Sequence, residues 1–354
     1  MVLAAGLGER MLPLTRTVPK PAIPVLGRPL LAQVISRLAA AGVRSLAINL
    51  HHLPDRVREV AEAAVPAGFE ELAFFEERGT ILGTGGGLKN AERTLRGHGT
   101  ILVRNSDFLS DIPIDRALEA HRRSGLPATL VLVPERPGYT PLDVDASGRV
   151  SSIGGEPPAP AGSSRFRGTF TGLHFIEEEI LDRLPSGRPS DIVREVYRPL
   201  VAEGRLGAWI HRGHWLEFGT PREYLDGSLQ LLDLPFSQLR RFAEPDPIRE
   251  FPNARVAMGA GAEAADPVAS LRGRVALGLA ARVGSGTRIV DSVVLPEAWI
   301  GPEARLERVV VGPGAEIPAG FSIQDALLCA DPGDGSAVPP GVERVSGLLV
   351  RRFA

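Results

Sequence analysis

The residues best equipped for chemistry lie at the start of the chain. Leu3 to Pro21 reads Leu-Ala-Ala-Gly-Leu-Gly-Glu-Arg-Met-Leu-Pro-Leu-Thr-Arg-Thr-Val-Pro-Lys-Pro. A short apolar run, Leu3, Ala4 and Ala5, passes into Gly6 and Gly8, and Arg10 and Lys20 follow in one extended loop. Glycines let backbone N–H groups approach a ligand closely. Successive N–H groups in such a turn form an anion-binding concavity. Arg10 adds a planar fork suited to phosphate oxygens, and Lys20 adds a point charge. Pro13, Pro19 and Pro21 stiffen the loop, which leaves less ordering entropy to lose on binding. Lys20 and Lys89 are the only lysines among 40 basic residues, so composition does not explain a lysine held between two prolines. The stretch reads as a polyphosphate grip; the alternative is an ordinary strand-to-loop turn. A Walker A loop is excluded because no Gly-Lys pair occurs. A dinucleotide fingerprint is excluded because Gly6-Leu7-Gly8-Glu9-Arg10-Met11 lacks the third glycine.

A second glycine cluster, Gly83-Thr84-Gly85-Gly86-Gly87, reads as a loop ahead of a helix through Leu88 to Leu95. A helix N-terminus reached through glycines favours a polar or anionic group; a flexible turn is the alternative. Asn105-Ser106-Asp107 follows an apolar strand from Thr100 to Val103. An aspartate at a strand's carboxyl end, facing a phosphate grip, is a natural ligand for Mg²⁺. Taken alone, Asp107 reads better as a solvated turn aspartate.

The run Gly-x-Gly-x-Arg-x-x-Pro-Leu-Thr from Gly6 to Thr15, followed by Pro19-Lys20, resembles the signature of sugar-1-phosphate nucleotidylyltransferases. These enzymes make NDP-sugars from an NTP and a sugar 1-phosphate, and the resemblance extends over roughly the first two thirds of the chain. It implies catalytic roles for Arg10, Lys20 and Asp107. It implies nucleotide contacts from Leu3, Ala4, Ala5, Gly6 and Gly8, and base contacts from Gly83, Thr84, Gly85 and Gly86. Asn105, Glu156, Thr171 and Gly172 would face the sugar, the last two within the strand-like Thr169-Phe170-Thr171-Gly172. Gly213 to Pro221, Gly-His-Trp-Leu-Glu-Phe-Gly-Thr-Pro, resembles the family's Trp-x-Asp-x-Gly-Thr-Pro, so Glu217 would share Mg²⁺ with Asp107. Three departures stand out. Ser106 replaces a glycine, Glu217 replaces an aspartate, and Gly155-Glu156-Pro157 lacks the lysine of the usual Glu-Lys-Pro, for which Arg165 or Arg167 could substitute. His211 and His214 beside an acid read as local hydrogen-bonding residues rather than a zinc site.

The elements that must position these residues alternate along the chain. A helix is expected over Pro29 to Ala41, with Leu30, Leu31, Val34, Ile35 and Leu38 on one face and Gly42 as its C-cap. Ser45–Leu50 reads as a strand, Asp55–Val65 as a helix, Glu71–Phe75 as a strand, Ile114–Ser124 as a helix and Ala128–Val133 as a strand. Asp143 to Phe166 reads as a loop around a short strand at Arg149–Ile153, and Thr220-Pro221 as a helix cap. The alternation predicts an α/β fold with a doubly wound, mostly parallel nucleotide-binding sheet. The opening strand is short compared with the resembled family, which a misplaced start would explain. Beyond a proline-rich stretch the pattern changes: Leu277, Val283, Ile289 and Leu295 are six apart, as are Ile300 and Leu306, and Val311, Ile317 and Ile323. Gly278, Gly284, Gly301 and Gly312 adjoin these positions. That repeat predicts a short left-handed parallel β-helix. The expected domains are 1–231 (nucleotidyltransferase), 232–255 (linker) and 256–354 (β-helix and tail).

All seven histidines lie at or before His214, so the β-helix has no histidine base for acyl transfer, and an assembly module is expected there, with a homo-oligomer formed through it. A formal net charge of −2 points to neither nucleic acid nor an anionic membrane. The lone Cys329 excludes an internal disulfide and fits a cytoplasmic protein. The expected reaction is NTP plus sugar 1-phosphate to NDP-sugar plus pyrophosphate, with Mg²⁺. The resemblance favours GTP and mannose 1-phosphate. A uridylyltransferase for an amino sugar such as N-acetylmuramic acid 1-phosphate is the rival, and a non-catalytic nucleotide-sugar sensor, motivated by Glu217 and the missing lysine, is the alternative of another class.

Overall fold

The computed structural model describes residues 1–158 and 164–353. Residues 159–163, within the loop expected between Asp143 and Phe166, lie outside the described residues. Contacts divide the chain into two compact units. The first comprises Met1–Gly6, Ile35–Ser106 and Ser110–Trp215; the second comprises Leu7–Val34, Asp107–Leu109 and Leu216–Ala354. The grip loop from Leu7 onward and Asp107 therefore group with Leu216–Ala354.

The first unit is built on one mixed sheet. Its spatial order is Val150–Ile153, Pro141–Val144, Phe166–Ile176, Ile101–Asn105, Val2–Leu3, Ser45–Leu50 and Glu71–Glu76. Val2–Leu3 is parallel to both neighbours, and Ser45–Leu50 is parallel to Glu71–Glu76. Phe166–Ile176 runs antiparallel to Ile101–Asn105 and to Ala128–Pro134, and this long strand makes the sheet mixed rather than parallel throughout. In Ala128–Pro134 six successive residues, Ala128 to Val133, are buried, as in a strand covered on both faces. Amphipathic helices cover the sheet: Pro54–Ala64 buries Val57 and Ala61, and Ile114–Ser124 buries Ile114, Ala117 and His121. The strand carboxyl ends carry Leu3, Leu50 and Asn105, the edge where ligands bind in sheets of this kind.

In the second unit the six-residue repeat is realised as stacked parallel strands. Ala254–Met258, Leu271–Leu277, Arg288–Val294, Arg305–Val311 and Ser322–Ala330 pair in sequence order. Glu263–Ala264, Arg282–Val283, Trp299–Ile300 and Glu316–Ile317 form a second parallel ladder. Leu277, Val283, Ile289, Ile300, Leu306, Val311 and Ile317 are buried in the coil interior; Val294 takes the interior place expected for Leu295, which is buried outside that cluster, and Ile323 is only partly buried. The glycines are demanded by coil spacing: a Cβ on Gly301 would fall 2.6 Å from Ile317 O and 2.7 Å from Ala319 N, both backbone atoms. The chain closes with a hairpin, Glu343–Val345 and Leu348–Arg352, the latter antiparallel to Ser322–Ala330.

The helix Pro221–Asp233 begins as expected, with Thr220 Oγ1 accepting from Glu223 N at 3.2 Å. Two arginines fasten it to the coils. Arg274 donates to Asp233 and to Asp291 at 2.7 and 3.0 Å, and Arg308 to Asp226 and Asp325 at 3.3 and 2.9 Å. No helix among the described residues is long and apolar enough to cross a membrane.

Candidate active site

Within the second unit the grip loop is a chain of tight turns, Glu9–Met11, Leu14–Arg16 and Lys20–Ala22. Gly8 opens it at φ +68°, and Thr15 Oγ1 and Met11 N both bond Gly8 O at 2.8 Å. A Cβ on Gly8 would strike Thr15 Cγ2 at 2.8 Å, so both the conformation and the space at this position require glycine. The exposed side chain of Arg10 lies against Gly219 of the Gly-Thr-Pro run: a Cβ there would come within 2.8 Å of Arg10 Nη2 and of Glu223 Oε2.

Lys20 Nζ donates to Asp107 Oδ2 at 2.6 Å, with the two side chains 13% and 20% exposed. Asp107 Oδ1 is buried and has no hydrogen-bond partner among the described residues. A buried carboxylate oxygen without a donor is a cost unless something outside the protein satisfies it. Phe218 N donates to Asp107 O at 2.9 Å, which brings the backbone following the half-buried Glu217 alongside Asp107. That free carboxylate oxygen of Asp107 is a donor suited to a hard divalent cation, which takes its remaining ligands from phosphate and water. No group of three or more His, Cys, Asp or Glu residues arranged to hold a metal exists among the described residues.

The first unit holds the other expected residues. Ala4 N donates to Asn49 Oδ1 at 2.8 Å, Asn49 Nδ2 to Glu77 Oε1 at 2.7 Å, and Leu82 N to Glu77 Oε2 at 2.7 Å. This buried network ties the Leu3-Ala4 strand end to the glycine cluster, and neither Asn49 nor Glu77 was marked by any motif in the sequence. The cluster itself differs from expectation. It is the first turns of a helix, Gly83–Asn90, not a loop ahead of one. Gly85 N and Gly86 N donate to Ser190 O at 2.9 and 3.3 Å, so these N–H groups already have a protein acceptor. Side chains are excluded by close packing: a Cβ on Gly85 would lie 2.7 Å from Ser190 Oγ, and one on Gly87 2.8 Å from Asn49 Nδ2. Thr84 Oγ1 receives Ile192 N at 3.0 Å.

Asn105 and Gly172 are brought together. Gly172 has φ +82° at the point where Phe166–Ile176 slips register, and a Cβ there would meet Asn105 Nδ2 at 2.6 Å. Thr171 is buried, its hydroxyl donating to Val131 O at 2.8 Å, and its carbonyl accepts from Trp215 Nε1 at 3.1 Å. Glu156 is exposed and pairs with Arg198 at 2.8 Å. Arg167 pairs with Glu135 at 3.1 Å, so the arginine beside Glu156 is one that the sequence did not single out. Asp111 accepts from His211 Nε2 at 2.7 Å and from His214 N at 2.8 Å. Burial opposes ionisation of Asp111, yet these hydrogen bonds hold its carboxyl below the usual range. That arrangement is local hydrogen bonding, as expected.

A family model described as "Nucleotidyl transferase" matches residues 1–233. The chain belongs to the nucleotidyl transferase family. A second model, "GlmU-like, C-terminal hexapeptide", matches residues 269–326 of this nucleotidyltransferase. A Mycobacterium tuberculosis protein named mannose-1-phosphate guanylyltransferase is 30% identical over 87% of this chain and 82% of its own length. An Aspergillus fumigatus protein named mannose-1-phosphate guanyltransferase is 28% identical over 64% of this chain, the match spanning 62% of the fungal protein. In fold, the chain is similar to HddC from Yersinia pseudotuberculosis, solved in complex with GMP-PN, with a TM-score of 0.51 at 21% identity over 65% of this chain and 97% of that one. The family generally works with a divalent metal.

Proposed function

We propose that this nucleotidyltransferase couples a nucleoside triphosphate to a sugar 1-phosphate, with GTP and mannose 1-phosphate as the pair. The observation that carries the reading is the Lys20–Asp107 contact, with its one unsatisfied carboxylate oxygen, in the same unit as Arg10 and Glu217. The choice of GTP and mannose 1-phosphate is supported by the relatives named above.

In this reading an oxygen of the sugar phosphate attacks the α-phosphorus in line. A new P–O bond forms as the bond to the β-phosphate breaks, and pyrophosphate leaves with that electron pair. Arg10 and the amides of Gly6 and Gly8 hold the β- and γ-phosphates, and Lys20 stabilises charge at the reacting phosphate. Gly83, Thr84, Gly85 and Gly86 are assigned to the base, and Leu3, Ala4 and Ala5 to the nucleotide. Asn105 and Gly172 form the sugar side with Thr171 and Glu156. Asp107 and Glu217 would hold Mg²⁺, which would neutralise phosphate charge when bound. No protein nucleophile is required. Assembly through the β-helix and a cytoplasmic setting belong to the same proposal; light scattering of the purified protein tests the former.

The test is pyrophosphate release titrated with Mg²⁺. Asp107→Asn is expected to abolish the metal-dependent rise, and Glu217→Asp to retain or increase it. A metal response unchanged in Asp107→Asn contradicts the assignment.

A further inference from the structure

The turn that carries Arg10 is held from the far end of the chain. Glu9–Met11 ends at Leu12, and the Leu12 carbonyl accepts from Arg351 Nη1 at 2.9 Å. Arg351 lies on the closing strand Leu348–Arg352, directly opposite Leu327 in the β-helix sheet. A second tie runs the other way: the Arg16 guanidinium donates to Ser336 Oγ at 3.3 Å and to Ala337 O. The segment that receives it is itself anchored to the hairpin, since Arg344 donates to Ser336 O at 2.8 Å and to Asp331 Oδ2 at 2.6 Å. All of these residues belong to the second unit.

An arginine-to-carbonyl bond is charge-assisted and directional. Water can satisfy a half-buried turn carbonyl equally well, so the effect specific to this bond is to fix where the turn lies. A loop fixed before the ligand arrives has less conformational freedom to lose when it binds. We propose that Arg351 and Arg16 are positioning residues for nucleotide binding, so that the C-terminal hairpin of the β-helix is a working part of the triphosphate grip. The inference rests on the reading of the Gly8–Lys20 loop as that grip. It gives the β-helix a role within each chain that does not depend on assembly.

The experiment compares full-length wild type, Arg351→Ala and Arg351→Lys by hydrogen exchange of residues 8–17 and by pyrophosphate-release kinetics. In Arg351→Ala, exchange in 8–17 is expected to quicken, and KM for the nucleoside triphosphate to rise about tenfold, with KM for the sugar phosphate and the melting midpoint unchanged. Arg351→Lys, which keeps a donor, is expected to recover part of the loss. Unchanged exchange and unchanged KM in Arg351→Ala overturn the inference. So does an equal loss for both substrates with a lowered melting midpoint, the pattern of a merely structural contact. A wild type that neither binds nor turns over any nucleoside triphosphate instead contradicts the grip reading, and this inference with it.

Discussion

Lys20 Nζ lies 2.6 Å from Asp107 Oδ2, so the cation proposed for the reacting phosphate and the carboxylate proposed for the metal are each other's partner. Their pairing keeps a half-buried charge of each sign compensated without substrate. Arrival of a phosphate and a cation would let both exchange partners without leaving either exposed. Lys20→Met and Asp107→Asn are each expected to lower kcat by on the order of a hundredfold or more, the scale of losing one charge-stabilising group. The double variant is expected to lose much less than the product of the two, because the residues act as a unit. Steady-state kinetics of the four proteins check this; full additivity would argue that the two serve separate tasks.

Gly219→Ala places a methyl group 2.8 Å from Arg10 Nη2 and from Glu223 Oε2. Both atoms end flexible side chains, so Arg10 and Glu223 must swing away from the methyl group. A rise of about tenfold in KM for the nucleoside triphosphate is expected, with little change in the melting midpoint, since Arg10 is exposed and bears little of the core. Kinetics and a thermal melt of the one variant suffice.

Gly301→Ala has the opposite signature. Its Cβ meets backbone atoms of the next coil at 2.6 to 2.9 Å, and a stacked coil cannot yield locally. Overpacking of this kind costs about 1–3 kcal/mol. The denaturant midpoint is expected to fall while KM for both substrates stays unchanged.

His174 supplies a pH dependence of stability. It is buried, neither ring nitrogen has a hydrogen-bond partner among the described residues, and burial pushes its pKa down to about 3 from 6.5. The unfolded chain binds the proton first, so stability falls as pH drops below 6.5 and keeps falling toward 3. The slope approaches about 1.4 kcal/mol for each unit of pH, or about 2 kcal/mol between pH 6.5 and 5. Urea midpoints across that window are expected to decline more steeply in wild type than in His174→Phe. Parallel curves would show that His174 does not titrate on unfolding.

The two folds could be read from the sequence because their signals are local. Periodicity gave the strand Ser45–Leu50 and the helix Ile114–Ser124, and the six-residue spacing gave the coils. Lys20 and Asp107 could each be named, but not as a pair, since 87 residues separate them. The Asn49–Glu77 network, the Arg198 partner of Glu156 and the Arg351 tie to Leu12 carried no local mark at all. Gly83–Gly87 misled for a physical reason. Glycine clusters usually signal loops, whereas here the segment around Ser190 packs so closely that a helix had to dispense with side chains.

The central claim is tested most directly by pyrophosphate release from purified wild-type protein with Mg²⁺, across the four nucleoside triphosphates and a set of sugar 1-phosphates. Release confined to GTP with mannose 1-phosphate is the expected result. Release confined to a uridine nucleotide would keep the reaction class and replace the substrates. No release in any combination, from folded protein that still binds an NDP-sugar, would contradict the account and leave a sensor in place of an enzyme.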